Sequence, residues 1–121
     1  MKISAGFIVL VIFCDVLHAQ SHSIQWGKIA LSDHLLYRRI VFREYEVLRI
    51  VSEDVSWPDA SNPSPGNSTI SCIKAEDLYV NGDGGYASIS SGGVGFNHTT
   101  VHFESQRNHG YAFKLLIYGP F

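Results

Sequence analysis

The side chains best suited to chemistry gather in the last third of the sequence. His98, His102 and His109 fall in or beside one short segment. His98, His102 and Glu104 are even-numbered neighbours, so on a strand they share a face and could converge on a metal ion. The same spacing describes an ordinary solvated strand face, and that is the preferred reading, so no metal is expected. Asn81-Gly82-Asp83-Gly84-Gly85 carries the start of a calcium loop, but Gly85 occupies an alternate ligand position and Gly92 stands where a bidentate Glu belongs. It reads instead as a turn. Gly92-Gly93-Val94-Gly95 lacks the Lys-Ser/Thr ending and the following helix of a phosphate loop. Cys72 lies in an apolar segment and is expected to be a small buried hydrophobe, not a nucleophile. No Gly-x-Ser-x-Gly elbow is present. The chain is therefore expected to be non-enzymatic, with no cofactor. Trp26, Trp57, Tyr79, Tyr86, Phe96 and Tyr118 could line a groove for a small hydrophobic ligand or a partner protein; filling a core is the simpler use for them.

The elements that carry these residues read as strands. Thr99, Val101 and Phe103 alternate with Thr100, His102 and Glu104. Tyr111, Phe113, Leu115 and Ile117 alternate with Ala112, Lys114, Leu116 and Tyr118. Period-two alternation marks half-buried strands. The polar Gln106 to Gly110 segment between them suits a hairpin. Tyr86 to Ser91 is a further strand, expected to pair with Thr69–Val80 across the Asn-Gly and Asp-Gly turn. Gly92 to Gly95 gives the next reversal. Leu35 to Val51 is read as strands broken near Arg43-Glu44, with an amphipathic helix as the alternative; its β-branched and aromatic residues favour strands. Val55-Ser56-Trp57 is a short strand ended by Pro58, and Asp59 to Ser68 is a loop. Short strands with Gly- and Pro-rich turns predict an all-β domain, an antiparallel β-sandwich or flattened barrel.

The N-terminus reads as a secretory leader. Lys2 precedes an apolar run from Ile3 to Cys14, and Ala19 offers a cleavage point. The run is shorter than the roughly 20 residues a spanning helix needs, so no membrane anchor is expected after cleavage. Residues 1–19 are thus assigned to the signal peptide and 20–121 to one domain, of roughly a hundred residues, enough for a core. Cleavage removes Cys14 and leaves Cys72 alone. The formal net charge is −2, and the arginines are interleaved with Glu44, Glu46, Glu53 and Asp54, which argues against direct nucleic-acid binding. Two sequons, Asn67-Ser68-Thr69 and Asn97-His98-Thr99, are expected to carry N-linked sugar in a secreted chain.

One resemblance spans nearly the whole expected mature chain. Ile70-Ser71-Cys72-Ile73-Lys74-Ala75-Glu76-Asp77, then Asn81, Gly82, Gly84 and Gly85, then Gly92, Gly93 and Gly95, then Gly110, and finally Tyr118-Gly119 occur in the order and spacing of the insect multiprotein bridging factor 2 (transcription activator) family. Asp33, Leu35-Leu36 and Val55-Ser56-Trp57-Pro58 add weaker support. The resemblance implies a coactivator role, in which a member bridges a DNA-bound regulator and the general transcription machinery. It supplies no catalytic residues. The leader implies the opposite destination, outside the cell, and there the expected activity is binding an unidentified protein or small hydrophobic partner. Secretion is the leading expectation; the nucleus, with transcription factors as partners, is the alternative.

Overall fold

The computed structural model describes residues 21–63, 69–79 and 81–120. The expected leader, Cys14 and Asn67 lie outside the described residues. Seven strands follow in order: β1 (Ile24–Gly27), β2 (His34–Arg43), β3 (Ser52–Trp57), β4 (Cys72–Asp77), β5 (Tyr86–Gly92), β6 (Thr99–Glu104) and β7 (Tyr111–Gly119). They form a four-stranded sheet in the order β1-β4-β7-β2 and a three-stranded sheet in the order β3-β6-β5. Every pairing is antiparallel. The sheets stay open, so the sandwich expectation holds and the barrel does not.

Alternation in the sequence becomes burial in the fold. Tyr111, Phe113, Leu115 and Ile117 on β7 face Val101 and Phe103 on β6, and all six side chains are buried. The ring centroids of Phe103 and Phe113 lie 5.1 Å apart, and those of Tyr111 and Phe113 lie 6.1 Å apart. At the far end Trp57 packs 6.4 Å from Tyr37. Truncating Phe103 or Phe113 to Ala removes this aromatic layer at a cost of about 3–5 kcal/mol.

Two expected hairpins are overturned. β4 and β5 belong to different sheets, as do β6 and β7. Among the described strands, β5 and β6 are the only consecutive pair that are also hydrogen-bonded neighbours. The Asn81–Gly85 segment therefore carries the chain from one sheet to the other over the end of the core. A side chain on Gly84 would overlap the Asp77 carboxylate, and one on Gly85 would overlap the Glu104 carbonyl. Gln106 Nε2 donates to the carbonyls of Gly82 (2.7 Å) and Gly84 (3.0 Å), tying this crossing to the other one.

The β5–β6 turn is formed as expected. Gly92 adopts φ +63°, where a side chain would also strike the His98 carbonyl, so glycine is required twice over. Gly93 N–H donates to the His98 carbonyl at 2.9 Å, and Gly95 N–H donates to the Ile70 carbonyl at 2.9 Å, fastening the turn to the chain before β4.

Candidate functional site

The residues singled out by sequence do not converge on one place. Asn97 is exposed in the β5–β6 turn. Asn81, Gly82, Gly84 and Gly85 build the first sheet crossing. Gly110 lies against the backbone of Arg43 to Tyr45, and Gly119 against the Thr69 carbonyl. Tyr118 sits on the outer face of the four-stranded sheet, with Lys74 Nζ 5.9 Å from its ring centre. These positions shape the backbone. The six aromatics are equally scattered: Trp57 is core, Trp26 leans on the core, and Tyr86 and Phe96 are exposed in different places.

The histidines are separated too. His98 precedes β6 and meets the edge of Phe96, with ring centroids 5.6 Å apart. His102 is on β6 with Nδ1 2.7 Å from Asp54 Oδ1 and Nε2 3.8 Å from Glu104 Oε1. The two carboxylates flank opposite nitrogens of the ring, so they do not share a coordination centre with it. Among the described residues, no group of three or more His, Cys, Asp or Glu side chains is placed to hold a metal ion. Cys72 is fully buried, and that burial pushes its thiol up from its ordinary value, which suppresses the nucleophilic thiolate. An open depression of about 210 Å³ runs along β1 and β4, lined by Ser23, Ile24, Gln25, Lys74, Ala75 and Glu76. It is smaller than the roughly 300–1,000 Å³ of a typical small-molecule site.

The feature that stands out is the loop from Glu44 to Ile50, where the sequence reading expected the second of two strands. Tyr45, Val47, Leu48 and Ile50 are 61%, 68%, 69% and 48% exposed. Four large apolar side chains in seven residues are turned to solvent. Leu48 adopts φ +61°, a region that non-glycine residues other than Asn and Asp rarely enter.

The loop is held firmly in this arrangement. Leu48 N–H donates to Asn108 Oδ1 at 3.1 Å, and Arg107 Nη1 donates to the Leu48 carbonyl at 2.9 Å. Asn108 N–H donates to the Arg49 carbonyl at 2.9 Å. Beyond it, Val51 N–H donates to Ser105 Oγ, and Ser105 N–H to the Val51 carbonyl, each at 2.8 Å. The turn from Gln106 to Gly110 thus works as a brace for the loop instead of closing a hairpin. Strain held in place by surrounding bonds, on a loop that displays apolar groups, is the pattern of a contact site.

The charge around the loop has the same character. All five arginines of the chain, Arg38, Arg39, Arg43, Arg49 and Arg107, lie on β2, on this loop or in its brace. Arg43 is partly committed, 3.6 Å from Glu46 and donating to the Ser52 carbonyl at 3.2 Å. Arginine and tyrosine are enriched at protein–protein contact surfaces and lysine is depleted. The signal available in the sequence was the density of apolar residues between Arg43 and Val51, which is greater than one buried strand face can use.

Comparison with known proteins places these features in context. A family model described as Transcription activator MBF2 matches residues 26–119. A probable salivary secreted peptide of Bombus ignitus is 34% identical over 102 residues, covering 84% of this chain and 72% of that protein. No solved structure matches.

Proposed function

The chain belongs to the MBF2 family, and from that premise we propose that it is a secreted, non-enzymatic insect protein that acts by binding a protein partner. The observation that carries the binding role is the braced Glu44–Ile50 loop, with Tyr45, Val47 and Leu48 each more than half exposed. Burying such side chains against a partner releases water at about 25 cal/mol per Å² of apolar surface. Destination rests on the apolar leader read at residues 1–19 and on similarity to a protein described as a salivary secreted peptide. In that setting Asn67 and Asn97 are the glycosylation positions.

A protein partner fits better than a small hydrophobic ligand, because the exposed apolar groups protrude and do not enclose a space. The family description favours a second reading, a coactivator bridging transcription proteins. The same loop would then be its contact, and the leader would have to be bypassed.

Expression of the full chain in insect cells separates the two. The secreted reading expects product in the medium, beginning near Gln20 and losing mass on treatment with a glycosidase specific for N-linked sugar. An intact product beginning at Met1 in the nucleus would overturn it. For the binding role, proteins co-purifying from medium or saliva are compared with those retained by a Val47→Asp/Leu48→Asp chain. Retention of the same proteins at the same yield would remove the loop as the contact.

A further inference from the structure

β2 is the edge of the four-stranded sheet, and among the described residues no strand lies beyond it. Its inner face contributes Tyr37 and Val41 to the core. Its outer face carries Arg38, Ile40 and Phe42, in register with Leu116, Lys114 and Ala112 of β7. Ile40 is 50% exposed and Phe42 is 49% exposed. Glu44 follows directly, one residue past the end of the strand, at the next position of the same parity, and is exposed. The outer sequence of this edge, read on through the residue that follows it, is therefore cation, aliphatic, aromatic, anion.

That order is self-complementary when the strand is turned end for end. We propose that two copies of the chain associate through β2, antiparallel and centred on Val41, joining the two four-stranded sheets into one. This register places Arg38 opposite Glu44 of the second copy and Ile40 opposite its Phe42, and the twofold axis repeats both pairs. It is the register that satisfies the charge pair and the apolar pair together. One step of two residues toward Ile40 sets Arg38 opposite Phe42; the same step the other way sets Ile40 opposite Glu44. Directly opposed residues in such a ladder have Cβ atoms about 4.5–5.5 Å apart, close enough for both pair types to contribute. The twofold symmetry makes the contact isologous and closed, so association stops at two.

On the inner side Arg39 stands against Arg43 of the second copy, a like-charged pair that the twofold axis also repeats. Arg43 is already held within its own chain by Glu46 and the Ser52 carbonyl, which leaves Arg39 free to extend into solvent. Edge strands in monomeric proteins are commonly blunted by proline, by a bulge or by inward charge. Here the one bulge of β2 falls between Leu35 and Tyr37, before the proposed contact, which leaves Arg38 to Arg43 regular, and Arg39 and Arg43 are its inner-side charges. The association shares Glu44 with the Glu44–Ile50 loop, so its test reads oligomeric state and not partner binding.

Sedimentation velocity over a concentration series tests the proposal on the secreted, folded chain. The natural sequence is expected to show a reversible monomer–dimer equilibrium. Arg38→Glu and Glu44→Arg should each raise the dissociation constant roughly tenfold or more, because each converts two attractive pairs into two repulsive ones. Arg38→Glu/Glu44→Arg should restore association to near the natural level. Ile40→Thr, which keeps a β-branched residue at an exposed position, should weaken the dimer without altering thermal unfolding of the monomer. A chain that stays monomeric at every concentration overturns the proposal. So does a dimer indifferent to Arg38→Glu, or a charge swap that fails to restore what the single changes lost.

Discussion

The backbone N–H of His22 donates to Asp77 Oδ2 at 3.0 Å, joining the first described turn of chain to the end of β4. The Asp77 side chain is fully enclosed. It also accepts from Tyr79 N–H at 2.9 Å, while Asp77 N–H donates to Ser23 Oγ at 2.8 Å. The His22 ring completes the seal, stacking on Tyr86 at 4.6 Å with Nδ1 3.1 Å from the Gly85 carbonyl. A buried carboxylate is tolerated only when donors satisfy it, so Ser21 to Ser23 is part of the folded domain.

Replacing that carboxylate should therefore be costly. Asp77→Ala leaves the N–H groups of His22 and Tyr79 without their acceptor, and the expected loss is about 2–4 kcal/mol. A chain beginning at Ile24 should lose a comparable amount. Urea unfolding midpoints measure both, and equal midpoints for Asp77→Ala and the natural chain would refute the account.

The strained loop makes the opposite kind of prediction. Leu48→Gly removes the penalty of φ +61° while deleting a side chain that is mostly in solvent. Stability should rise by about 0.5–1 kcal/mol. If the loop is the partner contact, binding should fall in the same variant. Thermal unfolding and co-purification read the two effects separately.

Thr99 is inward-facing on β6, 1% exposed, and among the described residues its Oγ1 has no hydrogen-bond partner, nor has the Nε1 of neighbouring Trp57. Thr99→Val keeps the shape and removes a desolvated hydroxyl, so it should stabilise bacterially made chain by about 1 kcal/mol. It also destroys the Asn97 sequon. Asn97→Gln destroys the same sequon from an exposed position and should leave the stability of sugar-free chain unchanged. The pair of variants, measured by thermal melts, separates the packing effect from the sugar.

Tyr111 OH donates to Glu53 Oε1 at 2.8 Å from a fully buried ring. Burial raises its phenol well above the usual value, and the hydrogen bond to Glu53 raises it further. Folded chain thus keeps a proton that unfolded chain releases near pH 10. The contribution to stability is whole below that pH. It declines as pH rises past it, by at most about 1.4 kcal/mol per pH unit. Urea unfolding across the alkaline range should show this slope in the natural chain and a shallower one in Tyr111→Phe.

Much of the strand content was legible because side-chain alternation is local. The Thr99–Ser105 and Tyr111–Tyr118 segments announced one buried and one exposed face, and β6 and β7 bury the predicted faces. The reversal at Gly92–Gly95 was equally local, since positive φ and lack of a Cβ are properties of the residues themselves. The family resemblance rested on the same glycines. The candidate contact loop was not legible: Val41, Tyr45 and Leu48 look alike as letters, yet Val41 is buried while the other two face solvent.

Sequence alone determined that this chain makes strands, where β5, β6 and β7 begin and end to within a residue, and which face of β6 and of β7 is apolar. Tertiary structure alone decided which sheet each strand joins. A turn at Asn81–Gly85 or Gln106–Gly110 satisfies its own dihedral preferences whether the next strand pairs with the last or crosses the core. The crossing prevails because it lets the rings of β6 and β7 pack against one another, with Phe103 and Phe113 centred 5.1 Å apart and tilted by 44°. Apolar contact between residues remote from a turn, and not the turn itself, settles the path of the chain.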